Sequence, residues 1–272
     1  MSTSEINLFQ IAYDVASREK VSQSGFLLLD NQDNARPDWY EYWPIRNYLL
    51  TNTLIESDWY GFFSPKFSDK TQLGYAEVRD FVVTAEDRGA SVALFSPQPD
   101  MGANFLNVFE QAELFDPGFL ETAQAFVASL GLEVPLVSLV MDSRQIVYSN
   151  YLVAKPAFWR AWFAWTEAMF VMAEDTAHPF SASLCQPTTY GINAQRKVFL
   201  LERLAPLLLT LQPEFKTAEA NSFNFGWSMA RFRAVPEDSY INDALKRAFR
   251  DTGFPQYMTA FRKQREKFTG SS

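Results

Sequence analysis

The stretch from Leu136 to Glu174 limits what this chain can fold into more than any other, because three backbone periodicities follow one another in it. The apolar run Leu136-Val137-Ser138-Leu139-Val140-Met141 closes on Asp142 and reads as a buried strand end. Ser143 and Arg144 make a polar turn, and Ile146 to Val153, rich in β-branched and aromatic residues, reads as a second extended segment. Pro156 then suits the first turn of a helix, where a missing N–H costs nothing. In that helix Phe158, Trp162, Trp165, Met169 and Met172 recur at alternating steps of four and three, so they share a face that excludes Arg160 and Glu167. Strand, turn, strand and helix in that order put Asp142, Ser143, Arg144, Ser149 and Asn150 at the rim of a sheet, where α/β proteins hold their ligands.

A chain of 272 residues, 47% hydrophobic, buries one large core, or one domain with appended helices. The aromatic share of 16% supplies a dense core and, in part, stacking surfaces for sugars or bases. A formal charge of −8 speaks against a nucleic-acid groove, which needs clustered Lys and Arg. The one basic block, Arg262-Lys263-Gln264-Arg265-Glu266-Lys267, is either a solvated helix face or a contact with an acidic membrane surface or assembly partner. Cys185 stands alone, which excludes an internal disulfide and a cysteine-based metal site and fits a reducing compartment. Met1 to Asn7 are too polar for a signal peptide, and no apolar run reaches the ~20 residues of a spanning helix. The expectation is a soluble cytoplasmic protein, with a peripheral contact at the inner membrane face left open.

Read in order, Leu8 to Asp14 and Gly25 to Asn31 are strands that stop at Asp14 and Asp30, Trp43 to Leu54 is a helix, and Trp59 to Phe63 a strand broken at Ser64-Pro65-Lys66. Thr71 to Glu86 is an amphipathic helix, Ala90 to Phe95 a strand, and Gly118 to Leu130 a helix capped by Gly131. A polar loop from Asp175 to Asn193 precedes the apolar helix Gln195 to Leu211, kinked or restarted at Pro206. Asn221 to Val235 is ambiguous between strand and loop, and Pro236 to Phe268 forms helices broken at Gly253-Phe254-Pro255. Strands alternating with helices predict an α/β fold with a mainly parallel sheet flanked by helices. Residues 1–211 form the main domain, and 212–272 a mostly helical extension packed on it.

No glycine-rich phosphate loop, His-Glu-x-x-His or Gly-x-Ser-x-Gly is present, and His178 is the sole histidine. What remains is carboxylates at strand ends (Asp14, Asp30, Asp142) and in helices (Glu110, Glu202), beside Lys66, Arg144, Arg196 and Arg203. Glu202 within Leu200-Leu201-Glu202-Arg203-Leu204 is costly to bury alone, so it either pairs with an arginine or faces a cleft as a base. Asp14 and Asp30 either end strands in turns or face a ligand; Lys66 belongs to a turn or neutralises a phosphate; Asn150 satisfies backbone or a ligand hydroxyl.

Three segments, in order and spacing, resemble bacterial capsular and surface-polysaccharide glycosyltransferases with a GT-A-like fold. They are Trp39 to Ile45 with Asp58 to Phe67, then Ser149 to Phe158, then Arg196 to Leu204. The resemblance reaches to Leu211. It implies transfer of a sugar from a nucleotide-sugar donor to a glycan or lipid-linked acceptor. On this reading Asp14 and Asp30 touch base or ribose, Lys66 and Arg144 the phosphates, and Asn150 with Tyr151 the sugar. Arg196 and Arg203 also border the site, and Glu202 is the base or an orienter of sugar hydroxyls. In that family an Asp-x-Asp motif holds Mg²⁺ or Mn²⁺; here Asp30-Asn31-Gln32-Asp33 is the nearest approach, so Lys66, Arg144 or Arg196 stands in for the metal. Two alternatives remain: a non-catalytic carbohydrate-binding or scaffold protein of the same machinery, and a glycoside hydrolase using Asp142 with Glu202.

Overall fold

Trp59-Tyr60-Gly61-Phe62-Phe63 is apolar without alternation, as a strand covered on both faces must be, and all five residues are buried. In the computed structural model, which describes residues 4–189, 194–228 and 236–269, this segment is a central strand. The elements in chain order are β1 (Ile6–Ala12), α1 (Val15–Ser24), β2 (Leu27–Asp30), α2 (Tyr42–Thr51), β3 (Trp59–Phe63), α3 (Phe67–Thr71), α4 (Tyr75–Asp87), β4 (Val92–Leu94), α5 (Pro99–Ala103), α6 (Val108–Phe115), α7 (Phe119–Ser129), β5 (Leu152–Ala154), α8 (Pro156–Glu174), α9 (Ser181–Leu184), α10 (Arg196–Leu211), β6 (Thr217–Glu219), α11 (Pro236–Thr252) and α12 (Pro255–Thr269).

The strands form one sheet in the order β2-β1-β3-β5-β4-β6. β1 pairs in parallel with β2 and β3, and β4 with β6, whereas β5 runs against both β3 and β4. The expected α/β class holds, and the sheet is mixed but mainly parallel, with β5 alone reversed. Alternate residues of β3 feed two cores: Trp59 and Phe63 pack with Phe26, Phe67, Val78 and Val82 beneath α1, α3 and α4, while Tyr60 and Phe62 pack with Phe158, Trp159 and Trp162 on the side of α8 and α10. Gly61 lies where β5 passes closest. A Cβ there would stand 2.8 Å from Val153 Cγ2, so the close pairing of β3 with β5 needs glycine.

The helix expected after Pro156 spans Pro156–Glu174. Its buried face is Phe158, Trp159, Trp162, Thr166, Met169 and Ala173, with Trp165 and Met172 at the margin, and Trp159 Nε1 donates to Tyr60 O at 2.9 Å. The strand expected over Leu136 to Met141 is absent: Leu136–Ser138 is a 3-10 turn with Val137 63% exposed. Asn107 Nδ2 donates to Leu136 O (2.9 Å) and Leu139 O (2.7 Å), so the backbone of this segment is satisfied by a side chain instead of a neighbouring strand. α10 runs through Pro206 as one continuous helix. Beyond Leu211 the chain supplies the edge strand β6 as well as the two expected helices, which break at Gly253-Phe254-Pro255; residues 229–235 of the ambiguous stretch lie outside the described residues. α11 is bolted to the chain around α5 by Asn104, which contacts Ser239 (3.0 Å) and Asn242 (2.8 Å), and by Lys246. The fully enclosed Lys246 ammonium donates to Gly102 O (2.6 Å) and Phe105 O (2.9 Å), and burial pushes its pKa down to about 8. Among the described residues no helix is long and apolar enough to cross a membrane.

Candidate functional site

From β1 the chain moves to β2 on one side, then returns to place β3 on the other, so the carboxyl ends of β1 and β3 flank a topological switch point. Open α/β sheets bind ligands at such a crevice, because the loops diverge there and leave the strand ends uncovered. Tyr13 follows β1, Ser64-Pro65-Lys66 follows β3, and Ser149-Asn150 leads into the reversed strand β5 at the same edge. Together with Trp39 to Tyr42, Lys70 and the inner face of α10 they line a cleft of about 410 Å³. That volume suits a small organic ligand.

Two carboxylates and two ammonium groups line this cleft: Glu41 and Glu202, Lys66 and Lys70. Glu202 accepts a hydrogen bond from the Ser149 amide, and Lys70 Nζ donates to Ser149 Oγ at 2.9 Å, so Ser149 is held from both sides. Ser149 (φ 60°) and Asn150 (φ 50°) are consecutive left-handed non-glycine residues, and Tyr40 (φ 46°, ψ −130°) before Glu41 is another. Such backbone costs on the order of 1–3 kcal/mol per residue and persists where surrounding contacts enforce it. Burial raises the pKa of Glu41 above the ordinary carboxylate range and the neighbouring Glu202 adds to this, while Lys70 and Lys66 oppose it. The Tyr13 phenol is likewise pushed up, by burial and then by Glu41. Among the described residues Tyr13 Oη and Asn150 Oδ1 are buried without a hydrogen-bond partner. Trp39, Tyr40, Tyr42 and Phe199 form the aromatic walls.

Of the residues singled out from sequence, the fold gathers Lys66, Asn150 and Glu202 in the cleft, with Tyr151 just beneath it. The Tyr151 hydroxyl meets Ser64 Oγ at 2.6 Å and its ring lies 5.5 Å from Lys70 Nζ, so Tyr151 supports the floor and is itself fully buried. The other candidates are placed elsewhere. Asp14 caps α1 in a capping box with Ser17, whose hydroxyl holds the exposed Asp14 carboxyl below its usual range. Asp30 ends β2 in a turn to Gln32 and faces Arg18 at 3.6 Å. Asp142 is fully buried against Arg144 (2.7 Å) and Arg250 (3.5 Å), and Arg144 also reaches Asp251 (2.7 Å). Burial opposes ionisation of Asp142, but these cations outweigh it and lower its pKa. Arg196 is buried with Asp116 and Thr122; Arg203 spends its donors on Val108 O, Phe199 O and Gln111. These four pin loops and helices together, and the Asp142–Glu202 pair required of a hydrolase does not share the cleft.

Sequence reasoning placed Ser149 at the rim, where it is found, and missed Tyr13, Glu41 and Lys70. Two of them carried a readable signal: Lys66 and Lys70 stand four apart, one helical turn, and Glu41 is a lone charge in the aromatic run Trp39-Tyr40-Glu41-Tyr42-Trp43.

The wall that carries Trp39 is stapled to α8 and α10. Asp38 accepts from Arg36 Nε (2.9 Å) and Lys197 Nζ (2.7 Å), Glu174 accepts from Arg36 (2.7 Å) and Trp39 Nε1 (2.9 Å), and Lys197 Nζ lies 4.2 Å from the Trp39 ring. Burial works against the Asp38 carboxylate, yet Arg36 and then Lys197 outweigh it and hold its pKa at about 2. A depressed pKa contributes stability above the unfolded value of about 4, and that contribution is lost as pH falls towards about 2. Asp38→Asn is therefore expected to flatten the decline of urea-unfolding stability across this window. An unchanged slope in the variant would contradict the network.

Among the described residues no group of three His, Cys, Asp or Glu side chains could hold a metal ion. The fold and cleft define an α/β protein with a polar, aromatic-walled site at its switch point. Compared with profiles of known protein families, with curated proteins and with solved structures, the chain matches none.

Proposed function

We propose that the protein is a glycosyltransferase on a GT-A-like framework, moving a sugar from a nucleotide-sugar donor to a hydroxyl of a glycan or lipid-linked acceptor in surface-polysaccharide assembly. The observation that carries this reading is the convergence, at the β1/β3 switch point, of two carboxylates, two lysines and five aromatic side chains in one cleft. Sugar transfer asks for that combination. The acceptor oxygen bonds to the anomeric carbon, the bond from that carbon to the donor phosphate breaks, and its electron pair leaves with the nucleoside diphosphate. A carboxylate must take the acceptor proton and cations must meet the departing charge.

Glu202, fixed by the Ser149 amide, is placed to take the proton, and Asn150 and Tyr13 offer polar atoms to sugar hydroxyls. The aromatic walls stack on base or sugar. Arg144, Arg196 and Arg203, engaged elsewhere, have no role in this scheme.

The test is a thermal-unfolding screen against the common nucleotide-sugars. A donor at a hundred times its Kd adds about 2.7 kcal/mol to stability, and one of them is expected to raise the midpoint. No shift with any nucleotide-sugar, alongside binding of glycans alone, would select the non-catalytic carbohydrate-binding alternative.

A further inference from the structure

We propose that Lys66 and Lys70 form a diphosphate clamp that binds the donor without a divalent cation; this rests on the sugar-transfer reading above. Lys66 is the residue before α3 and Lys70 lies one turn on, its amide donating to Lys66 O at 3.1 Å. Side chains four apart on a helix share a face, about 5–6 Å between Cβ atoms, and like charges so placed repel. Both line the cleft. Two other lysines meet carboxylates directly, Lys155 at Glu86 and Lys197 at Asp38. Among the described residues neither Lys66 nor Lys70 forms an ion pair. Lys70 spends one of its three protons on Ser149 Oγ, and Lys66 is exposed at the mouth. Two cations lining one cleft from successive turns, with donors to spare, are complementary to a ligand carrying two adjacent negative charges.

The carboxylates opposite do not make a competing metal site. Magnesium takes six ligands, mostly oxygens of carboxylates, phosphates and water. Here the cleft offers two glutamates, one engaged by the Ser149 amide and the other driven towards its neutral form by burial. A divalent cation between them would also face both ammonium groups. The Mg²⁺ or Mn²⁺ centre that the resemblance implies does not fit this donor set. The lysines meet the diphosphate charge instead and continue to meet it as the diphosphate leaves.

Calorimetric titration of the full chain with uridine, guanosine, cytidine and thymidine diphosphates, and with inorganic pyrophosphate, tests the clamp in excess EDTA and again with Mg²⁺ or Mn²⁺. One nucleoside diphosphate is expected to bind in EDTA, with an affinity that either metal changes by less than about threefold. Lys66→Met and Lys70→Met are each expected to weaken it about tenfold, the order of a charge-assisted hydrogen bond. Lys66→Met removes an exposed side chain and keeps the fold; a circular-dichroism melt checks Lys70→Met. Binding that requires the metal, or lysine variants that bind like the parent, would overturn the clamp. Lysine-dependent pyrophosphate binding without any nucleoside diphosphate binding would keep the clamp and remove the sugar-transfer reading. Failure of every probe to bind would remove both.

Discussion

Glu202→Gln is expected to lower sugar transfer by a factor of about 10²–10⁴, the usual contribution of a positioned general base, while leaving the fold and donor affinity close to those of the parent. Glutamine keeps the volume of glutamate and an oxygen to accept the Ser149 amide, so the left-handed turn at Ser149-Asn150 stays supported. What the variant loses is a group that accepts the acceptor proton. The loss should therefore fall on kcat at saturating donor, with donor KM unchanged within about twofold. The neighbouring Glu41 adds a signature in pH. Burial holds Glu41 protonated to higher pH than an ordinary carboxylate. The pH dependence that Glu41 contributes to activity should thus lie above the ordinary carboxylate range and be absent in Glu41→Gln. A folded Glu202→Gln enzyme with undiminished turnover would end the catalytic assignment.

The fold was legible where local chemistry decides it. Pro236, Gly253 and Pro255 set the terminal helices because proline starts a helix easily and Gly253, at φ 72°, stops one. Trp59 to Phe63 could be little other than a covered strand. Leu136 to Met141 was misread because the residue that satisfies its backbone, Asn107, sits far away in sequence and leaves the apolar run free to be a turn. α1 went unseen for the opposite reason: with Val21 its one buried residue it has no apolar stripe, and its best sign was Asp14, three before Ser17. That aspartate also read as a ligand at a strand end.

The candidate site was half legible, and the missing half follows from the same physics. A carboxylate beside apolar residues announces that it is paired or functional, without saying which. Asp142 is answered by Arg144 two residues on, and by Arg250 from α11, which no local window contains, whereas Glu202 is answered by a backbone amide and left beside the cleft. Lys66 and Asn150 were found because they border strand ends. Glu41 was missed because the aromatic residues around it read as core, and the left-handed Tyr40 before it belongs to three-dimensional structure alone.

Asp116→Ala is expected to destabilise the protein by about 3–5 kcal/mol, the cost of leaving a buried cation without its counter-charge. Arg196 and Asp116 are 4% and 5% exposed and meet through Nε–Oδ2 at 2.8 Å and Nη2–Oδ1 at 3.2 Å, with Thr122 Oγ1 and Pro117 O taking further guanidinium hydrogens. The pair joins the end of α6 to the start of α10, the helix that carries Glu202. Shortening Asp116 removes the charge and strands the guanidinium, since no other carboxylate is paired with it among the described residues. Replacing both members with apolar side chains, Asp116→Leu with Arg196→Met, removes the stranded charge as well and should recover most of the loss. Guanidinium-chloride unfolding measures both variants. A loss below about 1 kcal/mol in the single variant would show that water reaches the pair. The double variant should keep the donor KM of the parent, because Arg196 ties helices together away from the cleft, and a tenfold rise would return Arg196 to the donor site.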